Sequence, residues 1–119
     1  MPRIIKSGLI QMSLPKTEGE GTIEEIKEAM VQKHIALIEE AGKKGVQILC
    51  LQEIFNTPYF CPGQDKKWYE SAEPIPGPTT DRMAVYAKKY NMVIIVPIYE
   101  KEQAGVLYNT AAVDRKSVV

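Results

Sequence analysis

An α/β fold is predicted for this 119-residue chain by three observations. Two aliphatic strand segments flank one amphipathic helix, a second helix feeds a third aliphatic strand, and a polar turn leads into a fourth. A strand–helix–strand unit needs a crossover, so its two strands run parallel. The length suits one domain with room for a core of its own.

The elements follow in order. Ile4–Met12 (IIKSGLIQM) reads as a first strand, and Ser13–Gly21 as a turn region with Pro15, Gly19 and Gly21. Thr22 opens a helix, with Glu25 three residues on in a capping box and Glu24 at the positive end of the dipole. Ile23, Ile26, Met30, Leu37, Ile38 and Ala41 share one face at helical spacing. Gly42 and Gly45 stop the helix, with Lys43 and Lys44 at its negative end. A second strand runs from Val46 to Leu51, and its unbroken apolar stretch Ile48–Leu51 is that of a buried parallel strand. A long connection ends in the Pro- and Gly-rich segment Pro74–Pro78. Thr79 or Thr80 then caps a helix running to about Tyr90, with Met83, Tyr86 and Ala87 facing inward and Asn91 as its stop. Met92–Ile98 is a third strand. Its Pro97 cannot donate to a ladder, so it is expected near the strand's end or on an edge. Glu100–Gly105 reads as a turn and Val106–Val113 as a fourth strand, the last pair forming an antiparallel hairpin.

Composition narrows the function. Lys+Arg and Asp+Glu balance at 15 each with a pI near 6.6, so there is no electrostatic case for nucleic acid or an acidic partner. The start has basic residues without a signal-peptide apolar region, and no apolar run nears membrane-spanning length. A soluble, cytoplasmic protein without a membrane partner is expected. Cys50 falls in a strand and Cys61 in a loop, an arrangement suited to free thiols in a reducing compartment. His34, the sole histidine, reads as a structural or surface residue, since no His/Cys/Asp/Glu cluster has metal-ligand spacing. Gly19 and Gly21 lack the context of a phosphate loop. The Lys43/Lys44, Lys66/Lys67 and Lys88/Lys89 pairs read as solvated helix ends and faces. Trp68 and Tyr69 are expected to pack rather than cover a pocket.

The chemistry concentrates after the second strand. Glu53 follows it directly and enters an aromatic loop with Phe55, Pro58, Tyr59 and Phe60. Open α/β proteins place their sites at the carboxyl ends of parallel strands. A carboxylate in an apolar, partly dry pocket is suited to general-base work. Glu53 is therefore the candidate base.

Further motifs join it: a Gln-bearing first strand (GLIQM), LCLQEIFNTPYF, AEPIPGPTT ahead of the second helix, VPIYE, and YNTAAV in the last strand. Together they make the chain resemble the carbon–nitrogen hydrolase (nitrilase) superfamily, closest to its β-ureidopropionase and N-carbamoyl amidohydrolase group. The resemblance implies the N-terminal part of a four-layer αββα sandwich and a Glu-Lys-Cys mechanism. The cysteine attacks an amide, nitrile or carbamoyl carbon, the glutamate serves as base for the thiol and then for water, and the lysine with backbone N–H groups stabilises the oxyanion. A free thiol is mostly protonated at neutral pH, so it needs that base. On this pattern Glu53 matches the catalytic glutamate, and Tyr59, Phe60 and Cys61 lie near the substrate. The implied substrate is a small amide or N-carbamoyl compound such as N-carbamoyl-β-alanine. No metal or organic cofactor is required, and the complete protein is expected to be a homo-oligomer.

The same pattern places the lysine beyond the YNTAAV strand and the cysteine further on, so residues 1–113 read as an N-terminal portion of the domain. Neither Cys50 nor Cys61 fits the nucleophile position. Lys116 is rejected as the lysine because a further turn and strand should precede it. The terminal string Asp114–Val119 (DRKSVV) is what a common sequencing adapter encodes in frame, and is read as a non-native tail. Alone, the chain is expected to be inactive and poorly soluble, because the inner face of its sheet would lack the opposing sheet and the Met92–Ile98 strand could template aggregation. Two alternatives stand beside this reading. One is a non-catalytic truncated homologue that pairs with a full-length subunit. The other is a Mg²⁺-dependent phosphoesterase whose LQE glutamate holds metal. The βαβ start and Gln11, where that class usually brings an asparagine, speak against the second.

Overall fold

Thr22 begins the first helix, α1 (Ile23–Lys43), in the reciprocal cap expected of its sequence. Its hydroxyl accepts from the Glu25 N–H at 3.1 Å, and the Glu25 carboxylate accepts from the Thr22 N–H at 3.3 Å. The helix closes at Lys44, and Gly45 takes a left-handed φ of +77°, which costs glycine little. The structure is a computed structural model describing residues 3–63 and 65–115. Lys116, and the tail beyond it, lie outside the described residues. The buried stripe of α1 is Ile26, Met30, Val31, His34 and Ile38, while Leu37 and Ala41 are half-buried at its margin.

His34 is fully buried and meets the Phe55 ring edge-on, with centroids 4.8 Å apart. The Met30 carbonyl can only accept, so Nδ1 carries the hydrogen of their 2.9 Å bond and Nε2 is left without a partner among the described residues. Burial, with a smaller push from Lys33, lowers the pKa of this imidazole below its ordinary value. The unfolded chain thus takes up the proton first as pH falls. Stability is full above the unfolded value near about 6.5 and is lost as pH drops from there through the folded value. Urea midpoints should fall between pH 7.5 and 5.5, and fall less in His34→Gln. An equal decline in both proteins would refute this.

The second helix, α2 (Pro78–Lys89), begins earlier than its threonines suggest. Gly77 is the N-cap and Pro78 the first helical residue, because proline's fixed φ and missing N–H suit that position. Thr80 lies inside the first turn, its hydroxyl accepting from the Gly77 N–H at 2.8 Å. A side chain at Gly77 would collide with the Pro74 carbonyl. Met83 and Ala87 are buried, and Asn91 ends the helix with a φ of +52°.

The four-stranded sheet has the order β1-β2-β3-β4, with β1 (Ser7–Leu9), β2 (Ile48–Cys50) and β3 (Val93–Gln103) parallel and β4 (Val106–Asp114) antiparallel to β3. Strands β1 and β2 are shorter than their apolar runs, since their mutual register covers only Ser7–Leu9 with Ile48–Cys50. Single bonds, Gln47 N–H to Lys6 O and Ile10 N–H to Cys50 O, continue the pairing on either side. Strand β3 instead runs on through Glu100–Gln103, because a two-residue turn at Ala104–Gly105 closes the hairpin with Gly105 at φ +79°. Pro97 lies within β3, not at its end. Its carbonyl accepts from Phe55 N–H, so its ring nitrogen also faces the loop side past β2 and leaves the β4 ladder intact.

Both helices pack on one sheet face, against Leu49, Ile94, Val96 and Ile98. The other face carries Leu9, Cys50, Ile95 and Val113 side by side in register, with Leu9 85% and Val113 66% exposed. Cys50 is accordingly half-buried there and not a core residue. Because β3 is paired on both sides, the sheet's free edges are β1 and β4, not the Met92–Ile98 segment. A continuous apolar row with exposed ends favours association. Light scattering should show concentration-dependent self-association, reduced in the double variant Leu9→Glu, Val113→Glu; unchanged scattering would count against the face as its cause.

Candidate active site

Where β2 ends, the chain keeps to the side of β3. Leu51 N–H donates to Ile95 O at 3.1 Å and Phe55 N–H to Pro97 O at 3.2 Å, so the turn holding Glu53 is bonded to the sheet on both sides. Between them Ile54 has a φ of +46°. A left-handed β-branched residue is strained, on the order of 1–2 kcal/mol. Its burial, and that of Phe55, Asn56 and Thr57 after it, hold the turn in place.

Glu53 itself is exposed, not set in a dry pocket as expected. The reason is the sheet face. Tyr99 and Asn109 pair across β3 and β4 on the same side as Ile95 and Val113, the side that no second layer covers among the described residues. Asn109 donates its side-chain N–H to Glu53 Oε1 at 2.7 Å, which fixes the carboxylate and leaves Oε2 free of partners among the described residues.

Beside this pair opens a cleft of about 440 Å³ lined by Ile54, Tyr59, Phe60, Cys61, Asp65, Lys66, Tyr69, Tyr99 and Asn109. All three expected substrate-side residues, Tyr59, Phe60 and Cys61, line it. Phe60 is buried, stacked on Trp68 at 5.6 Å and tilted against Tyr99 at 5.3 Å. Tyr59 and Cys61 are exposed, and Cys61 opens a short 3₁₀ turn, Cys61–Gly63. The Tyr59 phenol is held above its ordinary pKa first by the charge and hydrogen bond of Cys61, then by the charge of Glu53, so these three groups cluster. The Tyr99 phenol is raised chiefly by burial, with contributions from Tyr69 and Cys61.

The YNTAAV motif gives Asn109 no role by itself, and nothing local marks Tyr99. The hairpin register brings Asn109 to Glu53 and Tyr99 to the ring of Phe60. Trp68 and Tyr69, weighed together from sequence, separate here: Trp68 is fully buried and packs, while Tyr69 lines the cleft. Among the described residues no group of His, Cys, Asp and Glu converges as metal ligands.

Comparison with known proteins identifies the family and the fold. The profile of the family described as carbon–nitrogen hydrolase matches residues 8–117. The chain is 40% identical to β-ureidopropionase of Arabidopsis thaliana over 116 residues, which is 94% of this chain and 28% of that protein. Omega-amidase NIT2 of Xenopus tropicalis is 40% identical over 88 residues, 74% of this chain and 30% of that one. N-carbamoylputrescine amidase of Solanum lycopersicum is 38% identical over 78 residues, 65% of this chain and 26% of that one. The chain thus spans about a third or less of the length of these relatives. Among solved structures, a carbon–nitrogen hydrolase from Helicobacter pylori G27 superposes with a TM-score of 0.72 at 22% identity, over 93% of this chain and 35% of that one. Nit3 of Saccharomyces cerevisiae, a member of the nitrilase superfamily, gives 0.61 at 22% identity over 76% and 35%. These likenesses fix the fold as the N-terminal part of a nitrilase-type sandwich.

Proposed function

Because this chain belongs to the carbon–nitrogen hydrolase family, we propose that it carries the general-base part of an amidohydrolase site acting on small amide or N-carbamoyl compounds, N-carbamoyl-β-alanine among them. The observation that carries the reading is Glu53, held through Oε1 by Asn109 at 2.7 Å beside an aromatic cleft. With Oε1 occupied, Oε2 is the oxygen that takes the proton of an attacking thiol and later of water. Tyr59, Phe60 and Cys61 form the substrate wall. A carbamoyl group is a weak electrophile, so its developing oxyanion needs a fixed cation as well as this base. That cation and the nucleophilic thiol are assigned to sequence following residue 113, Asp114–Val119 being proposed as a non-native tail. Reading the source DNA across codon Val113 with long reads tests the boundary. A cytoplasmic, homo-oligomeric parent enzyme completes the proposal.

The test joins residues 1–113 to the remainder of the Arabidopsis β-ureidopropionase and measures ammonia release from N-carbamoyl-β-alanine, N-carbamoylputrescine and an ω-amide. Release from at least one substrate is expected, with none from the 119-residue chain alone. A folded but inert fusion, or turnover by the chain alone, would overturn the reading. The apolar row Leu9–Cys50–Ile95–Val113, exposed at its two ends, favours a second reading, docking on a full-length subunit. Co-purification with a full-length hydrolase, lost on Leu9→Glu, checks it.

A further inference from the structure

The AEPIPGPTT segment marks the family resemblance, yet nothing in the proposed reaction uses it. Its Glu73 is only 6% exposed and lies where four parts of the chain meet. Oε1 accepts from the Thr79 N–H at 2.8 Å, at the start of α2. Oε2 accepts from Lys27 Nζ of α1 at 2.8 Å, from the Thr79 hydroxyl at 2.8 Å and from Asn56 Nδ2 at 3.2 Å. Asn56 also donates to the Thr79 hydroxyl at 3.3 Å. Through its backbone Glu73 continues the sheet, its N–H donating to Tyr99 O at 3.1 Å and its carbonyl accepting from Lys101 N–H at 2.9 Å.

Two of these partners belong to the candidate site. Asn56 closes the turn that begins at Glu53, three residues earlier, and Tyr99 is a wall of the cleft. The strained Ile54 lies between Glu53 and Asn56, so the turn needs an anchor at its far end to keep that conformation. Phe55 N–H on Pro97 O holds the middle, and the Asn56 amide on Glu73 holds the end. A buried carboxylate with every donor matched makes a stiff anchor, because releasing any one donor leaves a buried charge under-satisfied.

We propose that Glu73 is a positioning residue: through Asn56 it sets the place of the Glu53 carboxylate, and the Glu53–Asn109 contact depends on it. This rests on the reading of Glu53 as the working base, but it is tested without turnover, so failure of either can be told apart. A merely structural Glu73 would join α1 to α2 through Lys27 and Thr79 and leave Asn109 untouched.

The chain contains three asparagines, each with a separate place: Asn56 at the Glu73 anchor, Asn109 on Glu53, and Asn91 beyond α2, away from both. Selective ¹⁵N-asparagine labelling of the 119-residue chain, kept below the concentration at which it self-associates, gives one side-chain amide pair for each. In Glu73→Gln, the Asn56 and Asn109 pairs should both move to free-asparagine positions while the Asn91 pair stays. Ile38→Val, a buried change in α1 outside this network, should lower stability without moving Asn109. Should Glu73→Gln fail to fold, Thr79→Val and Thr79→Ser decide the matter: the valine should shift Asn56 and Asn109, and the serine, which keeps the hydroxyl, should restore both. An Asn109 pair unmoved in Glu73→Gln or Thr79→Val, or one moved equally by Ile38→Val, would overturn the proposal.

Discussion

Glu53→Gln in the fusion of residues 1–113 to the β-ureidopropionase remainder is expected to lower ammonia release by about 10²–10⁴-fold, the range for losing a positioned general base. The substitution keeps the shape of the side chain and its contact. Glutamine still presents a carbonyl oxygen to Asn109 Nδ2, so the 2.7 Å contact and the turn survive. What disappears is the basic oxygen proposed to accept the thiol proton and then the water proton. Both half-reactions should slow, and circular dichroism and melting should match the parent fusion. A folded variant with ordinary rates would defeat the assignment of Glu53.

Phe55→Ala should destabilise the chain by about 3–5 kcal/mol, the range for truncating a fully buried aromatic ring. Phe55 is 0% exposed, and its ring closes the core between the Glu53 turn and His34 of α1. A small domain is stable by roughly 5–15 kcal/mol in total, so this single change consumes a large part of it. The cavity would open two residues from Glu53, beside the left-handed Ile54, so the turn should loosen before the sheet does. Urea unfolding measures the loss, and hydrogen exchange across residues 51–60 reports its location. A midpoint equivalent to less than about 1 kcal/mol of change would show that the site collapses freely around the missing ring.

The fold was readable wherever the governing interaction is local. Thr22 and Glu25 cap α1 as written, Asn91 and Gly45 adopt the positive φ their positions call for, and the last two strands form their hairpin. Local signals failed where two of them competed. Pro78 outranked Thr79 and Thr80 at the start of α2, and a short Ala104–Gly105 turn let β3 absorb residues that read as polar loop. In the site, Glu53 stood out because it follows a strand in sequence, and Tyr59, Phe60 and Cys61 were expected beside it through the family resemblance; all three line the cleft. The setting of these residues was not legible in sequence.

By itself, then, the sequence determined the α/β class, the order of the elements and the carboxylate at the end of β2, because capping, apolar periodicity and turn chemistry act over a few residues, while its motifs carried the resemblance to the family. The tertiary structure decided what that carboxylate touches. Asn109 reaches Glu53 across 56 positions and Lys27 reaches Glu73 across 46, contacts set by sheet register and helix packing and by no neighbouring residue. It also decided that Glu53 stands exposed, since the helices cover one face of the sheet and the site opens on the other.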